Sequence, residues 1–221
     1  MTQAIRWLLN VLQHLRQARL DKRAHRRWQG AQRRIGLTGG IASGKSSVGR
    51  LLAERGLPVL DADRFAREAL APGSAGARAV LARYGTLDRA ALGRIVFGDA
   101  AERSWLEHLV HPLVRERFNA ALEQLEAEPA VVLMIPLLFE TGLETLCSEV
   151  WLVDCEEPQQ LERLLARNPL SEAEARERIA AQWPLARKRP LADRLIDNRG
   201  CQATLVPQVE ALLNRCDRSA P

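Results

Sequence analysis

Residues 39–46 read Gly39-Gly40-Ile41-Ala42-Ser43-Gly44-Lys45-Ser46, a glycine followed after four residues by glycine, lysine and serine. That order is what a chain needs to wrap a run of phosphates. Glycines let successive backbone N–H groups turn inward, with Ser47 continuing the row of donors. Lys45 carries an ammonium to the outer phosphates, and the Ser46 hydroxyl suits a Mg²⁺ travelling with them. By composition alone the pattern arises in on the order of one chain in a hundred of this length.

Two further groups could act on such a phosphate. Asp61-Ala62-Asp63 puts two carboxylates close together after an apolar stretch. A carboxylate there can accept a hydroxyl proton or hold Mg²⁺ through water. The alternation sends the two side chains in different directions, so at most one faces an acceptor, and capping the helix read as beginning at Arg64 is the competing role. Arg163 and Arg167, four apart, share one helical face, with Arg176 and Arg178 shortly after. Fixed guanidinium groups stabilise charge on a moving phosphoryl group, although an exposed basic face is more often merely solvated. His108 and His111 precede Pro112 with no third ligand in view, which argues against a metal site there.

These groups need elements to hold them. Arg33 to Thr38 reads as a strand running straight into the glycines, and Ser46 to Glu54 as a helix stopped by Gly56. Leu57 to Leu60 reads as a second strand ending on the aspartates, followed by a helix that Pro72-Gly73 terminates. The unbroken apolar run from Ala130 to Ile135 predicts a parallel strand buried on both faces. Residues 149–154 and 194–196 supply a fourth and a fifth. The expected architecture is a three-layer α/β/α P-loop fold on a five-stranded parallel sheet. Residues 74–128 are helical in pattern and too long for a simple crossover, so they read as an inserted subdomain. Residues 159–190 read as a helical lid, with Ser171 and Glu174 spaced as a capping box.

Bulk properties exclude other classes. The chain has 221 residues and a net charge of +5. Residues 1–34 hold nine of the basic residues and one acid, leaving the remainder with 23 basic and 26 acidic residues, a net of −3. The basic character therefore belongs to an N-terminal extension, residues 1–33, and no nucleic-acid partner is expected. Ile5, Leu8, Leu9, Leu12 and Leu15 fall at helical spacing. An amphipathic helix touching anionic lipid or a partner, or resembling a targeting peptide, is one reading. A poorly ordered extension, or one read from too early a start codon, is the preferred one. Deleting residues 1–30 is accordingly expected to leave turnover nearly intact. The longest apolar run is interrupted by Pro136, so no transmembrane segment is predicted. Cys147, Cys155, Cys201 and Cys216 lack metal or disulfide-scaffold spacing, which suggests free thiols in a reducing cytoplasm. Nothing in the sequence sets the oligomeric state.

Several residues together match one family. Ile35 to Ile41 running into Ser43-Gly44-Lys45-Ser46, Asp61-Ala62-Asp63, Ala66-Arg67 and Pro72-Gly73 come first. Arg89, Leu92, Val96-Phe97, His111-Pro112 and Pro136-Leu137-Leu138-Phe139-Glu140 follow in order. Gln160, Arg163, Arg167, Gln182, Lys188, Ala192-Asp193, Ile196 and Asn198 complete the series. Over about residues 34–215 the chain resembles the dephospho-CoA kinases. The resemblance implies ATP and Mg²⁺ as co-substrate and cofactor, and dephospho-CoA as acceptor through its ribose 3′-hydroxyl, in the last step of coenzyme A synthesis. It implies a helical domain that helps hold the CoA moiety, Asp63 as the base, Arg163 and Arg167 as lid arginines, and Asn198 beside the adenine.

The sequence also departs from the family pattern. Ala42 and Ser47 replace the usual glycine and threonine, and Ala42 matters only where a positive φ is required. Met134 stands where many relatives carry an acid, leaving Asp61, Asp63 and Glu140 for water-mediated support of Mg²⁺. The rival readings are another small-molecule P-loop kinase, acting on a nucleoside or a shikimate-like alcohol, and a nucleotide-dependent switch or binding module. The switch lacks a guanine-recognition motif.

Overall fold

The computed structural model describes residues 27–214, so the expected helix near residues 5–20 and Cys216 lie outside the described residues. Five described strands form one sheet: β1 (Arg33–Gly39), β2 (Val59–Asp61), β3 (Ala130–Met134), β4 (Glu149–Asp154) and β5 (Arg194–Asp197). Their order is β2-β3-β1-β4-β5, and every neighbouring pair is parallel. β1 is central, flanked by β3 and β4. The loop after it opens at the carboxyl edge of the sheet, where open α/β sheets bind ligands.

Alternate side chains of the inner strands feed two cores. Val131, Leu133 and Val150 pack with Phe65, Val114 and Phe118 on one face. Val132, Trp151 and Val153 pack with Ile35, Leu37, Val48 and Leu52 on the other. Burial on both sides explains why β3 is apolar at consecutive positions. β2 is shorter than its sequence suggests. Pro58 has no N–H to give the ladder and serves only through its carbonyl, which accepts from Val132 N at 2.9 Å.

The crossover after β1 is α1 (Lys45–Ala53). Between β2 and β3 come α2 (Ala62–Ala69), α3 (Ala75–Tyr84), α4 (Arg89–Gly98) and α5 (Ala100–Gln124). Ser74, Asp88 and Asp99 cap the last three, each accepting from first-turn N–H groups. α5 runs through Pro112 and seats Phe118 edge-to-face on Phe65 of α2, with ring centroids 4.9 Å apart. Between β4 and β5 lie α6 (Glu157–Arg167), α7 (Glu172–Ala180) and α8 (Leu185–Lys188). The Ser171/Glu174 capping box opens α7 as its spacing predicts. α9 (Leu205–Asn214) closes the described chain against α1. No described helix is long and apolar enough to cross a membrane.

Within the expected extension, Arg27, Trp28 and Gln32 are anchored to the body. Arg27, its side chain 9% exposed, pairs with Asp193 and donates to Leu191 O at 3.1 Å. Asp193 in turn accepts from Val150 N at 2.6 Å. Trp28 N–H reaches Cys147 O at 3.1 Å, and Arg34 lies 3.4 Å over the Trp28 ring. Arg27→Ala is therefore expected to cost about 2 kcal/mol, from the loss of charge-assisted hydrogen bonds in a mostly dry setting. A melting temperature lower by about 4–8 °C checks this. Deletion of residues 1–30 also removes this anchor, and is expected to cost stability that the extension reading alone leaves out.

Candidate active site

The turn from β1 into α1 is built for an anion. Gly44 takes φ 100° as the residue before α1, and no side chain caps the first turn of the helix. Its unpaired N–H groups and the helix dipole face the carboxyl edge of the sheet. A Cβ at Gly44 would lie 2.1 Å from Asn198 Nδ2, so both conformation and space demand glycine. Ser43 Oγ is buried without a protein partner, and Ser46 presents an exposed side chain at the start of α1. Ala42 has φ 57°, the only non-glycine residue with positive φ among those described. A left-handed alanine costs about 1–2 kcal/mol. Ala42→Gly removes that strain but adds freedom to the unfolded chain. The net expectation is a gain of about 0.5–1 kcal/mol, read as a higher denaturant midpoint at unchanged slope.

Lys45 curls back over the loop, Nζ donating to Gly39 O at 3.1 Å and Gly40 O at 2.6 Å. Burial lowers its pKa to about 8, with the Lys188 ammonium adding to the effect and Asp63 opposing it. Lys188 is wholly buried, paired with Glu140 Oε1 at 2.7 Å and donating to Pro136 O at 3.1 Å. The same Glu140 oxygen accepts from Trp183 N at 3.1 Å. Glu140, one of the sequence candidates for Mg²⁺ support, thus has a structural commitment to Lys188.

The two aspartates divide their roles. Asp61 caps α2, its Oδ1 accepting from Asp63 N at 2.8 Å, so the helix begins at Ala62 and not at Arg64. Asp63 stands in the first turn with its side chain open to solvent. Reduced hydration in the concave site, and then the Asp61 carboxylate, raise its pKa above the ordinary aspartate value, against the pull of Lys45, Arg67 and Arg167. It also borders an apolar cavity of about 410 Å³ lined by Leu70, Val80, Leu92, Val96 and Leu106.

Arg163 and Arg167 come from one face of α6. Arg163 donates to Asn198 O at 2.8 Å and keeps a second, buried nitrogen without a partner. Arg167 is exposed, and its charge acts on both Lys45 and Asp63. Asn198 is buried, and Nδ2 donates to Ser43 O at 2.7 Å, so its side chain holds the loop. Two contacts had no role in the sequence reading. Gln160 Nε2 donates to Ile41 O at 2.7 Å, and Gln182 Oε1 accepts from Ile41 N at 2.9 Å. Among the described residues no group of three or more His, Cys, Asp or Glu side chains is arranged to hold a metal.

A phosphate loop leaving the central strand of a parallel sheet in this order, a carboxylate across the sheet edge and arginines on a helical pair define the P-loop kinase class. The family model for dephospho-CoA kinase matches residues 33–203. A dephospho-CoA kinase of Synechococcus sp. (strain CC9605) is 65% identical over 192 residues, covering 83% of this chain and 93% of the relative. That of Parasynechococcus marenigrum (strain WH8102) is 60% identical over 192 residues, covering 84% and 95%. The crystal structure of TT1252 from Thermus thermophilus is 38% identical, with a TM-score of 0.73, covering 84% of this chain and 98% of that one. The chain belongs to the dephospho-CoA kinase family.

Proposed function

We propose that this chain transfers the γ-phosphoryl group of ATP to the ribose 3′-hydroxyl of dephospho-CoA, giving coenzyme A and ADP in the cytoplasm. The observation that carries the chemistry is the division of labour at Asp61 and Asp63. The first is spent on the helix cap, and the second keeps a free carboxylate that shares its electrostatic field with Lys45 and Arg167.

Each residue then has a task. The loop from Gly39 to Ser47 wraps the ATP phosphates with backbone N–H groups other than that of Ile41, and Lys45 turns from the Gly39 and Gly40 carbonyls toward the β- and γ-phosphates. The 3′-hydroxyl of the acceptor gives its proton to Asp63 as its oxygen bonds to the γ-phosphorus. The bond from that phosphorus to the β,γ-bridging oxygen breaks in line, and ADP leaves with the electron pair. Arg163 and Arg167 supply positive charge to the phosphoryl oxygens as α6 and α7 close as a lid, and closure excludes water that would otherwise compete as acceptor. Asn198 supports the loop from the adenine side. The apolar cavity beside Asp63, walled by the helical insertion of residues 74–128, suits the pantetheine arm.

Mg²⁺ fits the donors present. Ser46 offers one exposed hydroxyl, and the carboxylates of Asp61 and Asp63 stand at the end of β2, one strand beyond β3. That set suits a cation that keeps several waters and takes its other oxygens from phosphates, and the charge it supplies would neutralise the β,γ-bridge. No carboxylate at position 134 is needed for this arrangement.

The phosphorus NMR spectrum of the product tests the regiochemistry. A new phosphomonoester resonance coupled to the ribose 3′-proton is expected. A phosphate elsewhere on the acceptor, or preferential use of a nucleoside or a shikimate-like alcohol, would contradict it.

A further inference from the structure

Ile41, at the tip of the phosphate loop, is held at both of its main-chain groups by side chains from outside the loop. Its carbonyl accepts from Gln160 Nε2 at 2.7 Å, and its N–H donates to Gln182 Oε1 at 2.9 Å. Gln160 lies in the first turn of α6, and Gln182 just past the end of α7. The two glutamines thus stand at the entry and the exit of the helical pair that carries Arg163 and Arg167. Gln160 is buried, and its amide comes so close to the loop that a Cβ on Gly40 would lie 2.1 Å from Nε2. The residue after Ile41 is Ala42, the left-handed one. The far end of the loop is tied to the same helix, since Asn198 holds Ser43 O and Arg163 holds Asn198 O.

From this arrangement we propose that Gln160 and Gln182 are positioning residues that couple the α6–α7 pair to the phosphate loop through Ile41. The loop keeps the left-handed turn at Ala42, and so the inward aim of its N–H groups, only while both roots of the pair hold Ile41. Rotation of the pair about those roots pulls on the same residue. Nucleotide binding in the loop and the position of the arginine-bearing helices are therefore linked, and the linkage is reciprocal. A core glutamine that served packing alone would show no dependence on which of its amide atoms faces the loop. Here the direction matters, because Gln160 must donate and Gln182 must accept.

That asymmetry gives the test. It rests on the nucleotide-binding role of residues 39–46, so titration of the unaltered full-length protein with MgADP comes first. No binding there would count against that role and not against the coupling. Gln160→Glu and Gln182→Glu each bring a carboxylate to the same residue, Ile41, and so add comparable charge beside the phosphates. Only Gln182→Glu keeps the hydrogen bond. We expect MgADP to bind Gln160→Glu ~10-fold more weakly than Gln182→Glu, the scale of one lost hydrogen bond at a site that also repels. The KM for ATP should rise in parallel, with the KM for dephospho-CoA changing less than about two-fold. Gln160→Met and Gln182→Met keep length and apolar packing, and both should weaken MgADP. They carry the test where a charged variant does not fold. Equal MgADP affinity in the two glutamate variants, or methionine variants that melt earlier with unaltered nucleotide affinity, overturns the proposal.

Discussion

Asp63→Asn is expected to lower kcat by ~10²–10⁴-fold, the usual contribution of a positioned general base, while leaving MgADP affinity nearly unchanged. Asparagine keeps the size and hydrogen-bonding reach of the side chain but accepts no proton. The first turn of α2 survives because the cap is Asp61 and not Asp63. Asp61→Asn serves as the contrast. Asparagine caps as well as aspartate, so stability should barely move. The pH profile gives a second reading of the same group. Reduced hydration in the concave site and the Asp61 carboxylate raise the Asp63 pKa, so the free enzyme should lose kcat/KM on the acid side at a higher pH than an ordinary aspartate would dictate. A ligand-free enzyme whose acid limb coincides with that of an unperturbed aspartate would count against Asp63 as the base.

Lys45→Met should lower kcat/KM for ATP by ~10²–10³-fold, the scale for removing one preorganised charge from a developing anion. The fold should tolerate the change, because the ammonium is desolvated and its partners are two loop carbonyls. The same desolvation makes a prediction about pH. In the empty site Lys45 titrates near pH 8, whereas phosphates beside it favour the charged form and raise its pKa. ATP binding should be flat below pH 8. Above it, binding should weaken and take up a proton, by up to about tenfold per pH unit while the complex keeps its proton. Calorimetric titration in two buffers of different ionisation enthalpy measures that proton directly. Release of a proton on binding at pH 8.5, or none at all, contradicts the reading.

The parts of this site that were legible in the sequence are those whose information is local. Glycine spacing announces a loop that must turn its N–H groups inward, and Gly44 at φ 100° bears that out. A continuous apolar run announces a strand buried on both faces, as β3 is. The capping box at Ser171 and Glu174 lies within four residues and was equally visible. What escaped depends on distant pairing. Ile41 meets Gln160 and Gln182, which lie 119 and 141 residues away in the chain, and no pattern within a helix says that a glutamine will donate to a loop. The choice between Asp61 and Asp63 turned on where α2 starts, a boundary that spacing placed two residues late. Charge counting drew the edge of the extension at residue 33, whereas Arg27 and Trp28 already grip the body through Asp193 and Cys147. A basic side chain that is 9% exposed is indistinguishable in composition from one in solvent.

The departures from the family pattern sort themselves on the same physical grounds. Ala42 does occupy a left-handed position, so the missing glycine carries a strain cost, and the glutamine contacts on Ile41 are the neighbours that hold it there. Met134 packs beside Gly49 of α1, its sulfur 3.0 Å from where a Cβ on that glycine would be. Position 134 therefore contributes to the seam between β3 and α1, and the carboxylates at hand for the phosphate site are Asp61 at the end of β2 and Asp63 just beyond it.

The account is tested most directly by the release of ADP from ATP and Mg²⁺ in the presence and absence of dephospho-CoA, with adenosine and shikimate as competing acceptors. A kinase built as described releases ADP only slowly alone, stoichiometrically with coenzyme A when dephospho-CoA is added, and at the background rate with the other two. Equal ADP release with and without dephospho-CoA, or release driven as well by adenosine or shikimate, would contradict it.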